Sequence, residues 1–326
     1  MSSIYFRLFF AAIAVCFASA NDGVAQSNNQ TDTLYPLYVS HRAGNLHNYV
    51  FKEETTINRV HSDSSMRNLK REITYFLSQV ALKPSEDGFI TVQTTIDSML
   101  YRFADGPSII EYSSMRDAKP NLQFLDLAYA TVPVNRTFET VISPYGDVAE
   151  VKGEAVDWLR NYVTVEGQEK GVDILAPIQK YLWLDGISDN NLKHFGDLTK
   201  GIIPNGKVKR DSVWNRDVSV RMNSIDFSGP VKANISSAKD GIYRIEAASD
   251  GVVARPADIR VYGITELVKL NSGKGKASFS IELNDDDVRR VEADYTSSIS
   301  ATIKNETFTD NISTHLSWTL TGQTQW

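Results

Sequence analysis

Ala277-Ser278-Phe279-Ser280-Ile281-Glu282-Leu283 alternates apolar and polar side chains without a break. Successive side chains of an extended chain point to opposite faces of a sheet, so this stretch reads as a strand with one face packed and one wet. The same rhythm recurs on either side. Trp214, Val218, Val220 and Met222 share one parity, while Asn215, Asp217, Ser219 and Arg221 hold the other. Near the C-terminus Ile312, Leu316, Trp318 and Leu320 oppose Ser313, His315, Ser317 and Thr319. Two-faced strands belong to antiparallel sheets, and a slip of one residue would turn every apolar row outward.

Turn residues punctuate these rows. Glu86-Asp87-Gly88 precedes Phe89-Ile90-Thr91-Val92, and Lys239-Asp240-Gly241 precedes Ile242-Tyr243-Arg244-Ile245. Asp-Gly suits a tight hairpin because glycine reaches positive φ without a Cβ clash. Pro144-Tyr145-Gly146-Asp147 and Asn284-Asp285-Asp286-Asp287 read as two further reversals. The first half runs from a long strand near Tyr49 to Asn58, through Asp87-Gly88, to the Pro144 reversal. The second runs from Val213 to Ile225, through Asp240-Gly241, to the Asp285 reversal. That order, repeated about 140 to 160 residues later, reads as a diverged duplication of one β unit.

Between the halves the period changes. Val156, Leu159 and Val163 fall on one helical face, with Trp158 and Tyr162 beside it. Leu175, Ile178 and Leu182 repeat the spacing, and Pro177 marks a helix start. Ser188 reads as the N-cap of a helix through Leu192, Phe195 and Leu198; Gly201 and Pro204 end the section.

The first twenty residues have the layout of a secretory signal peptide: Arg7, the apolar stretch Leu8 to Phe17, and the small-x-small site Ala18-Ser19-Ala20. Cleavage is expected after Ala20, with a second possible cut after Gln26. It removes Cys16, the single cysteine, and so excludes disulfides, a cysteine nucleophile and thiolate metal sites from the mature chain. At 326 residues and 42% hydrophobic the chain is long and apolar enough to fold around a core. A net charge of -6 without a basic block gives no footprint for nucleic acid. No apolar run reaches about 18 residues, so no transmembrane span is expected.

Motif-like spellings carry little chemistry. Gly201 to Val208 imitates a phosphate-binding loop, but Val208 replaces the metal-binding hydroxyl and Pro204 removes a cradle amide. His41, His47, His61, His194 and His315 lack the spacing of helical zinc ligands, and the expectation for them is solvation or hydrogen bonding. Asp285, Asp286 and Asp287 lack the framework of a calcium loop and read as a solvated hairpin tip. Ser236 and Lys239 have the spacing of an acyl-transfer pair, yet they sit in a strand rather than on one helix turn. Asn-x-Ser/Thr sequons begin at Asn29, Asn135, Asn234, Asn305 and Asn311 and read as chance matches in a Ser/Thr/Asn-rich β protein. No catalytic residue, metal ligand or cofactor is expected.

Several short words have a wider echo: Tyr49-Val50-Phe51-Lys52, Glu86-Asp87-Gly88, the run Ser143 to Gly153, Ile203 to Val208, and Asp211-Ser212-Val213-Trp214. In these, and in the order of its elements, the chain resembles a family of exported bacterial proteins of unknown function. The resemblance implies a two-unit β protein outside the cytoplasm and carries over no activity. More loosely, curved antiparallel sheets with packed helices are similar to periplasmic lipoprotein carriers and their lipid-binding relatives.

The expected fold is mainly β (α+β): two antiparallel β units, each a curved sheet or half-barrel, with a short helical section between them. The expected boundaries are signal peptide 1–20, polar leader 21–33, first β unit 34–152, helical section 153–203 and second β unit 204–326. The expected function is non-enzymatic: an exported protein, periplasmic or extracellular, binding an apolar or lipid-like ligand between sheet and helices. The alternatives are an envelope structural or protein-interaction module with an envelope protein as partner, and a glycan-active hydrolase built from scattered carboxylates.

Overall fold

The computed structural model describes residues 34–326 apart from 38, 40–41, 118, 122, 145–146, 163–176, 205, 210, 285–286 and 326. The proposed leader with Ala20, together with Asn29, His41, Val163 and Leu175, lies outside the described residues.

The alternating stretches are strands, and their order in space follows their order in the chain. One arm is a meander of β2 (Asn45–His61), β3 (Met66–Ala81), β4 (Ile90–Asp105), β6 (Thr137–Ile142) and β7 (Val148–Lys152). The other contains β9 (Val213–Met222), β10 (Ile225–Lys239), β11 (Ile242–Ala254), β13 (Val268–Asn284), β14 (Asp287–Ile303) and β15 (Glu306–Gln325). Short strands β5 (Ser108–Ser113) and β12 (Ala257–Ile259) pair with β4 and β13. The last strand then pairs antiparallel with the first long one, from Phe308 opposite His61 to Gln325 opposite Asn45. That ladder joins the arms into one 13-stranded sheet whose path ends at β7 and β9. A separate two-stranded pair links β1 (Leu34–Leu37) to β8 (Gly206–Lys209).

Local chemistry explains the turns. Asp240 and Gly241 both take positive φ, 53° and 79°, and join Lys239 to its partner Ile242 as a two-residue hairpin of the primed type. Asn284 pairs with Asp287 across the β13–β14 reversal, and Ser143 N–H donates to the Asp147 carbonyl across the β6–β7 one.

Among the described residues four helices interrupt the strands: α1 (Leu125–Thr131), α2 (Glu154–Asn161), α3 (Pro177–Gly186) and α4 (Asp189–Gly196). Pro177 opens α3, where its missing N–H costs nothing. Ser188 caps α4, its Oγ accepting from Asn191 N–H at 3.3 Å. Two details differ from the sequence reading. Helix α4 ends at Gly196, so Leu198 lies past it; Asp197 takes extended backbone there and its side chain accepts from Thr199. Helix α1 has no counterpart in that reading, because seven residues with a buried aspartate show no helical stripe.

Helix α4 packs against β4 and β6, against β7 at one end of the sheet and against β9 at the other. One eight-residue helix reaches both ends only because the sheet curls around it. The inward rows make one apolar core: Leu69, Ile73, Tyr75 and Leu77 on β3, Ala277, Phe279, Ile281 and Leu283 on β13, and Ile312, Leu316 and Trp318 on β15. The outward rows of β13, β14 and β15 carry Lys, Ser, Thr, Asn and Glu.

Candidate functional site

At the core's centre Phe51 lies 4.7 Å from Trp318 and 5.5 Å from Phe195, and Phe195 lies 5.2 Å from Tyr75, centroid to centroid. Such aromatic pairs add about 0.5–1.5 kcal/mol each beyond their buried area, so they fix α4 against β2, β3 and β15. The side chain of Gln79 on β3 ties down the C-terminal end of α4, donating from Nε2 to the Phe195 carbonyl at 3.2 Å.

Where α4 ends, a cavity of 270 Å³ opens between the helical section and the sheet. Its apolar walls include Tyr49 of β2, Ile90 of β4, Ile142 of β6 and Val288 of β14, with Leu198 and Ile203 on the helical side. Its polar groups are few: His47, Gln79, Ser143, Asp197 and Thr199. Tyr49 Oη donates to the Val288 carbonyl at 3.0 Å, which leaves the ring as wall. The Nε2 of His47 is buried and makes no hydrogen bond, standing 3.6 Å from Asp287 Oδ1. Burial lowers the His47 pKa and the Asp287 charge only partly restores it, so His47 is neutral around neutral pH.

On the other side of α4 lies a polar cavity of 420 Å³, lined by Lys193, His194, Asp197, Lys200, Arg216 and Arg221 among others. Lys200 Nζ donates to the His194 carbonyl at 2.5 Å and stands 4.3 Å from the Trp318 ring. Burial pushes the Lys200 ammonium down to about 8, against the pull of Asp197.

A charged layer crosses the interior beside the aromatic one. Asp126 of α1 accepts from Arg71 of β3 at 3.0 Å, from Arg260 at 2.5 Å and from Tyr101 of β4 at 2.5 Å. Arg71 also donates to Glu53 of β2 at 2.5 Å. Burial alone would raise the Asp126 pKa, but Arg71 and Arg260 outweigh it and hold the carboxyl below its usual value. Further along the inward face Arg59 of β2 and Asp310 of β15 make a bidentate pair, both contacts at 2.7 Å. Every carboxylate in these groups is committed to an arginine.

The candidates drawn from sequence scatter. His47 reaches the apolar cavity, His194 packs edge-on to Phe51 and Trp318, and His315 sits outward on β15 with Asp294 at 2.8 Å. His61 lies 6.2 Å from the Phe308 ring. Among the described residues no three His, Cys, Asp or Glu side chains form a metal cluster. Asp287 is not a free hairpin charge: it accepts from Gln323 Nε2 at 3.1 Å and faces His47, while Asp285 and Asp286 lie outside the described residues. Ser236 and Lys239 lie in β10, as their setting in the sequence implies, whereas Gly206 to Val208, the end of the loop-like stretch, form part of β8 and pair with β1. Sequence reasoning misses Arg59, Arg71 and Asp310, although a signal exists. Each occupies the parity of its strand's buried residues: Arg71 with Leu69 and Ile73, Arg59 with Ile57, Asp310 with Phe308 and Ile312.

No protein-family model matches the chain, and no curated protein does. Among solved structures it is similar to lipovitellin, in a structure of its lipid–protein interactions, at 8% identity and a TM-score of 0.45. That match covers 88% of this chain but only 26% of the lipovitellin chain. It is also similar to Salmonella typhi OmpF in complex with daunomycin, at 7% identity and a TM-score of 0.22, covering 84% of this chain and 98% of that one. An outer-membrane channel from Pseudomonas putida F1 matches at 7% identity and a TM-score of 0.25, covering 87% and 98%. Among the described residues no helix is long and apolar enough to cross a membrane. The strand faces themselves are informative. Membrane-spanning barrels put apolar residues outward, whereas β13 to β15 keep Phe279, Ile281 and Trp318 inside and Ser278, Ser280 and Thr319 outside.

Proposed function

We propose that this protein is an exported, non-enzymatic binder of a small apolar or amphipathic ligand, held in the cavity between the curved sheet and the end of α4. The observation that carries the reading is the cavity itself. Its 270 Å³ sit close to the lower end of the range for ligand sites, about 300–1,000 Å³, and its walls are mixed, more apolar than polar, with several convergent polar groups. The volume suits a small molecule or one end of a longer chain. His47, neutral and with a buried unpartnered nitrogen, suits a hydroxyl or protonated acid at the ligand's polar end.

Two features favour this reading over its rivals. The interaction-module alternative would use the polar outward sheet faces or an edge strand; at the sheet's two ends the Trp214 indole of β9 donates to the Ile202 carbonyl at 2.9 Å and α4 packs on β7, so both end strands already have neighbours within the chain. The hydrolase alternative needs two carboxylates facing one space: among the described residues Asp197 is the single carboxylate lining the apolar cavity, and the aspartates that line the polar one, Asp147, Asp197, Asp217 and Asp226, stand there among Lys193, Lys200, Arg216 and Arg221. The test is titration of the full chain with an apolar fluorescent dye of anilinonaphthalene sulfonate type. Saturable enhancement that Ile142→Trp abolishes supports the reading; enhancement unchanged in that variant, or absent from the native protein, overturns it.

A further inference from the structure

Between the aromatic core and the charged layer lies a third, smaller cavity of 40 Å³. Three of its lining residues carry buried polar atoms without a hydrogen-bond partner: Arg221 Nε, Arg260 Nε, and both amide atoms of Asn223. The Arg260 residue is 2% exposed and the Arg221 side chain 9%. Each arginine spends its other nitrogens elsewhere. Arg260 binds Asp126 and the Ser224 hydroxyl, and Arg221 binds Asp185 and Asp226. What remains are their two Nε–H groups and the Asn223 amide N–H groups, against one unpartnered acceptor, Asn223 Oδ1.

A buried donor without an acceptor is destabilising, and two of these belong to charged guanidinium groups. The carboxylates beside the cavity are already engaged, Glu53 by Arg71, Asp126 by Arg71 and Arg260, and Asp185 by Arg221. The space therefore lacks an acceptor rather than a donor. At 40 Å³ it has room for a monatomic ion or a water pair, not for an oxyanion such as sulfate or for an organic acid. The backbone favours the arrangement as well. Asn223 and Ser224 both take positive φ, 52° and 65°, in the turn between β9 and β10, which carries the Asn223 amide to the cavity.

We propose that this cavity is a halide site, taking chloride through the Nε–H groups of Arg221 and Arg260 and the Asn223 amide. Bound there, the ion ties the β9–β10 turn to Arg260 and, through Asp126, to α1. It binds independently of any ligand in the apolar cavity, which shares none of these three residues.

The test measures thermal unfolding of the full chain against sodium chloride, sodium bromide and sodium gluconate at matched ionic strength, with anomalous diffraction from bromide-soaked crystals. A saturable rise in Tm with chloride and bromide but not gluconate is expected, together with a bromide peak within hydrogen-bonding distance of both Nε atoms. Asn223→Gly keeps the left-handed turn while removing the amide, so it folds and binds halide at least tenfold more weakly. Asn223→Asp, of the same shape, places a carboxylate beside the donors and abolishes the halide dependence. Equal Tm in chloride and gluconate, bromide found only elsewhere, or an Asn223→Gly variant with native halide affinity would each overturn the assignment, leaving water as the occupant.

Discussion

Asp126 Oδ1 accepts a hydrogen bond at 2.5 Å from Arg260, 134 residues further along the chain, while its other oxygen accepts from Arg71 of β3. One carboxylate on a seven-residue helix thus pins the first arm of the sheet to the second from inside the curl. Removing one partner of a buried ionic group is costly because the others are left charged in a poor solvent. Asp126→Asn is therefore expected to destabilise the fold by about 3–5 kcal/mol in urea or guanidinium unfolding. A loss below about 1 kcal/mol would mean that the two arginines find other partners.

Lys200 gives a stability signature on the alkaline side. Its folded value is pushed down to about 8 from an ordinary 10.5, so between those values the unfolded chain binds more protons and stability rises with pH. Below pH 8 the native state carries the full cost of a buried ammonium. Lys200→Met is expected to remove that slope and to gain up to about 3 kcal/mol at neutral pH. The check is the difference in unfolding free energy between variant and native protein from pH 7 to 11, which shrinks as pH rises.

His194 acts on the acid side. Burial, then Lys200 and Arg221, holds its pKa well below 6.5, so the unfolded chain takes up a proton that the native state refuses. Stability should fall as pH drops below about 6.5. His194→Phe, at home beside Phe51 and Trp318, is expected to flatten the Tm between pH 6.5 and 5. An unchanged slope would move the acid sensitivity to His47, whose pKa is also lowered by burial.

Gly196 sets how closely α4 approaches the sheet, since a Cβ there would collide with the Thr140 hydroxyl of β6. Gly196→Ala is expected to cost about 1–3 kcal/mol and to widen the neighbouring apolar cavity, measurable as weaker dye binding with the same far-ultraviolet circular dichroism. Gly196→Ala with Thr140→Ala should recover part of the loss, because Thr140 Oγ1 makes no hydrogen bond.

Much of this architecture is legible in the alternation of single strands. Ala277 to Leu283, the Asp240-Gly241 hairpin, the Pro177 start and the Ser188 cap each declare themselves within a few residues, because local sterics or one hydrogen bond decides them. The joining of the arms through β15 and β2 does not, because nothing in Phe308 to Gln325 names Asn45 to His61 as its partner. The candidate site is legible only as a place, sheet against helices. Its cavity is a by-product of α4 stopping at Gly196, two residues before the periodic apolar pattern ends at Leu198. The charges of the interior escape such a reading because composition treats Arg71 and Arg260 like any surface arginine. Their partner Asp126 lies in a helix too short to show a period.

The proposed function rests most on the apolar cavity, and native mass spectrometry of the protein as isolated tests it most directly. A bound small apolar or amphipathic molecule, displaced in both Ile142→Trp and Val39→Trp while each variant keeps its far-ultraviolet spectrum, is the expected result. A spectrum with no bound species before or after incubation with short-chain fatty acids and alcohols would contradict it.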